Sequence, residues 1–267
     1  MENLKMTYDK NIEKYVKILQ GLQENYTLIV NKIDELKNTF QFQNDKSNDD
    51  ARLAFYFLAS NYSDAAIHLL MFNTYISNKP LELRQYYDEF KISIPNSKAM
   101  GRMIPLNKIR WNNCQCLSNL FSISIYSSFE SSLRNIMRSV NEDCYVKTQN
   151  NIVSMLDHLM SRSENYTLYL TEYHDRFVAF NKIRNSIHNN GVHMPYNKNK
   201  NKEDAKQRSE YQILEDETTI IKTGERIRGG DGWDVHLQMT KLLFLIHNDI
   251  LEIPEVKSKS FIFDPSS

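Results

Sequence analysis

Three residues in the second half of the chain carry side chains suited to proton transfer and to anionic charge. They are Arg184, Asn185 and His188, within Phe177 to Val192, F-V-A-F-N-K-I-R-N-S-I-H-N-N-G-V. Histidine titrates near neutrality and can take or give a proton at physiological pH. Arginine keeps its charge and offers a planar fork of N–H donors that matches phosphate oxygens. Together they suit a reaction in which a hydroxyl attacks a neighbouring phosphate, with the imidazole handling the proton and the guanidinium the developing charge. Cleavage of RNA by its own 2′-OH is such a reaction, and it requires no metal. A second reading involves no chemistry, because basic residues in a last helical turn are favoured by the macrodipole.

The element that must position these residues is a helix over about 166 to 189. Phe177, Phe180, Ile183 and Ile187 mark its apolar face, and Asn189-Asn190-Gly191 supplies a stop. Arg184 and His188 stand four apart, one above the other on the same face. Other chemistry is poorly served. Asp157, Glu172 and Asp175 are scattered, so no metal ligands and no cofactor are expected. Phosphate-loop, dinucleotide, nucleophile-elbow and H-E-x-x-H motifs are absent, and Gly229-Gly230-Asp231-Gly232 reads as a turn. A Ser-His-Asp arrangement stays open, with nothing marking a nucleophile. Lys182 and the loop lysines Lys198, Lys200 and Lys202 are candidate contacts to an RNA backbone. The loop 197–208 reads first as a solvated charge run, which is what such a run usually is.

The remaining composition bounds the fold. There are 33 basic and 33 acidic residues, so a global nucleic-acid footprint is absent and any basic patch is local. Seven Gly and six Pro favour long helices. Cys114, Cys116 and Cys144 form no disulfide framework and no zinc spacing, and read as reduced thiols of a cytoplasmic protein. The N-terminus lacks an apolar signal core, and no stretch suits a membrane span.

The expected fold is mainly α, a helical bundle with a long N-terminal helix and a small antiparallel β hairpin or meander before the last helix. The first helix, over 3 to 43, carries a 3.5-residue stripe that includes Leu22, Tyr26 and Ile29. It reads as a coiled-coil dimer arm or as a helix packed on its own chain. Helices follow at about 49–77, 80–91, 108–140, 143–162, 166–189 and 233–252, with Asp143 as a candidate cap. His68 reads as a core histidine, and Glu130 with Arg134 as an exposed supporting pair. The expected divisions are an N-terminal helical region over 1–92, a connector over 92–107, a helical domain over 108–253 with a β insertion at 210–228, and a tail over 254–267.

Two stretches carry a family resemblance. R-N-S-I-H at 184–188 resembles the signature of the HEPN superfamily, helical bundles of bacterial defence, toxin–antitoxin and RNA-processing systems. S-F-E-S-S-L-R at 128–134 resembles an earlier helix of that family, which often carries a Glu among apolar turns. The resemblance implies a metal-independent endoribonuclease. Arg184 would stabilise phosphate charge, His188 would act as general acid or base, and Asn185 would orient the pair. It also implies a homodimer joining two motifs, RNA as substrate, and an antitoxin or defence-system protein as partner. Three residues separate Arg184 from His188, where the family usually has four to six. A catalytically silent HEPN-like binding module and a structural helical interaction protein remain the alternatives.

Overall fold

A computed structural model describes residues 2–40, 49–77, 106–187, 209–214, 217–221 and 233–263. The described chain is mainly helical. Helix α1 (Glu2–Thr39) buries Ile18, Leu22, Asn25, Ile29, Ile33 and Leu36, and Phe40 follows just past its end. This is the 3.5-residue stripe of the sequence with two changes: Ile18 and Asn25 turn inward where the stripe has Leu19 and Tyr26. Tyr26 is half-buried. The stripe packs within the chain, against α2 (Ala51–Ser77) and α8 (Trp233–Leu251). At the α1–α8 crossing a Cβ on Gly21 would lie 2.7 Å from Leu237 Cδ1, so the two helices approach through a glycine.

Helix α2 is covered on several sides, by α1 and by α3 (Leu106–Val140), and six consecutive residues from Ala51 to Tyr56 are buried. His68 corrects the expectation of a core histidine: its side chain is 72% exposed and faces Asp64. Among the described residues the core histidines are His236 and His247, both on α8. Phe55 of α2 packs edge-on against Phe129 of α3 at 5.7 Å, and tilted against Phe244 of α8 at 5.4 Å. Phe129 in turn meets Phe177 at 5.9 Å. Each buried aromatic or aliphatic side chain of this kind contributes about 1.5–3 kcal/mol.

The single helix expected over 143–162 is two, α4 (Glu142–Thr148) and α5 (Ile152–Met160). Two asparagines divide it. The Asn141 side chain accepts from Cys144 N at 2.9 Å and that of Asn151 from Ser154 N at 3.2 Å, so each starts its own helix. Asn141, not Asp143, is therefore the cap. The next run comprises α6 (Tyr166–Leu168), a widened π turn (Tyr169–Tyr173) and α7 (His174–Ile187). The π turn places Tyr169 inside, with its hydroxyl donating to Asp157 at 2.7 Å, while Leu168 and Leu170 stay exposed.

Strands β1 (Ser209–Leu214) and β2 (Glu217–Ile221) pair antiparallel, Ser209 opposite Ile221, with an irregularity between Gln212 and Leu214. The third candidate strand near 225–227, the short helix over 80–91 and most of the 92–107 connector lie outside the described residues. Beyond α8, the segment read as a tail folds back. It forms α9 (Pro254–Lys257), buries Val256 and Ile262, and pairs Phe263 with Asp50. Among the described residues no helix is long and apolar enough to cross a membrane.

Candidate functional site

Two helices build the surroundings of Arg184. Helix α3 carries Tyr126, Glu130 and Arg134 at four-residue intervals, so they share one face. Helix α7 carries Asn181 and Asn185 four apart, with Arg184 beside them. The faces meet through Glu130. Its Oε1 accepts from Arg134 Nη2 at 2.6 Å and from Nε at 3.1 Å, and its Oε2 accepts from Arg184 Nη2 at 3.3 Å. Arg134 also donates to the Gln149 carbonyl, which anchors it to the α4–α5 turn. The Glu130–Arg134 pair thus differs from the exposed support expected of it. Its side chains are only 19% and 28% exposed, and the carboxylate is shared with a second guanidinium. One carboxylate facing two guanidiniums leaves this triad with one net positive charge.

Arg184 lies 5.4 Å from the centre of the Tyr126 ring. Its Nη1 donates to Asn185 Oδ1 at 2.9 Å, Asn185 Nδ2 donates to Asn181 Oδ1 at 3.4 Å, and Tyr126 Oη donates to that same oxygen at 2.9 Å. Burial, reinforced by Glu130, pushes the Tyr126 phenol well above its usual pKa, so it acts as a neutral O–H donor. Arg184 Nε is buried and has no hydrogen-bond partner among the described residues.

The structure brings Arg184 and Asn185 together and keeps Lys182 half-buried on the same helix. His188, Lys198, Lys200 and Lys202 lie outside the described residues. His174 belongs elsewhere: it is ten residues, about 15 Å of helix, before Arg184, and faces Asp157 at 3.6 Å and Asp175 at 3.1 Å. Sequence reasoning missed Tyr126 and Asn181, and missed the reach of Glu130 to Arg184. The four-residue rows 126–130–134 and 181–185 were the available signal. What they lacked was any indication that the two rows face each other.

A serine and a histidine also converge, at the bundle centre. Ser132 Oγ lies 2.8 Å from His247 Nε2 and donates to the Ala51 carbonyl at 2.5 Å. His247 Nδ1 is 3.2 Å from Tyr56 Oη, which donates to Asn248 Oδ1 at 2.6 Å. Ser132 and His247 are fully buried, and the serine proton is engaged by a carbonyl. These side chains lie inside the core, so the pair presents no nucleophile to a substrate. Near its Tyr56 end, a cleft of about 350 Å³ opens between α1, α2 and α8. Its Lys32 is already paired with Glu35 at 2.7 Å.

No protein-family model, curated protein or solved structure matches the chain.

Proposed function

We propose that this chain is an HEPN-like, metal-independent endoribonuclease, acting as a homodimer in a phage-defence or toxin–antitoxin setting. One observation carries the reading. The two stretches that resemble the family, 128–134 and 184–188, stand 54 residues apart between Glu130 and Arg184, and meet there in an ion pair. The residual positive charge of the Glu130, Arg134 and Arg184 triad suits a phosphodiester.

In this reading the 2′-hydroxyl oxygen attacks the adjacent phosphorus and the bond from phosphorus to the 5′-oxygen breaks. The products are a 2′,3′-cyclic phosphate and a 5′-hydroxyl. His188 moves a proton, either from the 2′-hydroxyl or to the leaving oxygen, Arg184 bears the charge gathering on the phosphate, and Asn185 orients Arg184. The expected outcome is RNA cleavage that survives EDTA and falls at least about a hundredfold in both Arg184→Ala and His188→Ala. Cleavage persisting in the double variant would overturn the reading.

A second reading, a catalytically silent RNA-binding module, is favoured by the carboxylate already held by Arg184. It predicts RNA binding without cyclic-phosphate products.

A further inference from the structure

We infer that Asn181 is a phosphate-binding residue of this site, donating to an RNA phosphodiester beside Arg184 from an amide whose orientation is set by Tyr126 and Asn185. The inference rests on the RNA reading of the site, not on its catalytic activity.

The argument is one of hydrogen-bond direction. A guanidinium can only donate. Arg184 Nη1, 2.9 Å from the Asn185 amide, must therefore face its oxygen. That choice turns Asn185 Nδ2 toward Asn181, 3.4 Å away, so the Asn181 atom facing it must be Oδ1. The same oxygen receives the Tyr126 hydroxyl at 2.9 Å, and so both of its lone pairs are engaged. The carboxylate of Glu130 is occupied likewise, Oε1 by Arg134 and Oε2 by Arg184. Each acceptor of the cluster thus already receives at least one donor from within. Among the described residues the Asn181 Nδ2 donors are left over, together with the buried Arg184 Nε.

Asn181 is half-buried and Asn185 exposed, on a helix face shared with Arg184. A patch with engaged acceptors, spare N–H donors and one net positive charge repels donors and cations and fits an oxyanion. Asn181 needs no charge of its own, since Arg184 supplies the attraction and the amide supplies direction. Tyr126 is a positioning residue: its hydroxyl holds the Asn181 oxygen, while its ring, which lies against Arg184, is kept in Tyr126→Phe.

The test is the affinity of the full chain for a fluorescent 2′-O-methyl RNA, which cannot be cleaved, measured over a range of salt concentrations. Melting temperatures provide the folding control. Asn181→Asp keeps the size and the accepting oxygen but replaces the donors with a negatively charged acceptor. Binding should weaken about tenfold or more, and the slope of log affinity against log salt should shrink by about 0.7–1. Asn181→Ala should weaken binding less and leave the slope unchanged. Tyr126→Phe, which keeps the ring and removes the hydroxyl, should fall between wild type and Asn181→Ala. Wild-type affinity and slope in both Asn181 variants, with loss in Arg184→Ala, would overturn the inference while leaving the RNA site standing. Wild-type binding in Arg184→Ala, or no RNA binding by the wild type, would overturn both. Loss of binding in Asn181→Asp together with an inactive wild type would support the inference and remove the endoribonuclease reading.

Discussion

Glu130 is the residue on which the local electrostatics turn. With under a third of each side chain exposed, the carboxylate and its two guanidiniums keep more of their attraction than a surface pair does. Glu130→Gln should cost about 1–2 kcal/mol in urea unfolding, because it leaves Arg134 and Arg184 facing each other without a counter-charge. The buried histidines act on the whole stability curve. Burial holds His236 neutral down to about 4, and burial with nearby Lys32 holds His247 neutral down to about 3. An unfolded histidine titrates near 6.5. Between those values the unfolded chain takes up protons that the folded chain refuses, so stability falls as pH falls below about 6.5 and levels off only below the folded values. Each histidine contributes up to about 1.4 kcal/mol per pH unit. His236→Leu should flatten the dependence of unfolding free energy on pH between 6 and 4, and an unchanged slope would contradict the assignment.

At the scale of elements, helix crossings and the returning C-terminal segment set stability. Gly21 costs α1 about 1 kcal/mol of helix propensity relative to Ala, yet it stands where α1 meets Leu237 of α8. Gly21→Val should destabilise by about 1–3 kcal/mol through overpacking, read from the denaturation midpoint. The segment after α8 is held by a buried ion pair. Arg52 donates to both oxygens of Asp50, at 2.9 and 2.7 Å, and also to the carbonyls of Val256, Lys259 and Ser260. Asp50 Oδ2 accepts from Ile262 N at 3.2 Å. Arg52→Met should therefore cost about 3–5 kcal/mol, because it strands the Asp50 charge in the interior. The double change Asp50→Asn with Arg52→Met should recover part of that loss.

For the molecule as a whole, one cluster of buried side chains includes Leu22 and Leu36 of α1, Phe55 of α2, Phe129 of α3, Phe177 of α7, and Val256 and Ile262 near the C-terminal end. Deleting the chain after Ile253 should therefore lower the melting temperature of the entire bundle, not of one end, with CD and tryptophan fluorescence shifting together. Much of this helical scaffold was legible beforehand. The stripe of α1, the apolar α2 and α8, and the helix bearing Arg184 follow from hydrophobic period, which is a local property of the chain. Local information also erred where competing local signals were missed, as at Asn141 and Asn151, whose side chains cap two helices where one was expected. It could not assign His68 to solvent and His247 to the core, because both sit among apolar residues in sequence. Nor could it tell that the α1 stripe meets α2 and α8 of its own chain. The candidate site divides the same way. Arg184 and His188 are paired by residue type and spacing, which a plain helix end also explains, and Asn185 has a role only through the family resemblance. That Glu130 reaches Arg184, and that Tyr126 and Asn185 converge on Asn181, depends on α3 and α7 lying side by side. Such contacts between distant residues are created by packing, and no periodicity within either helix encodes them.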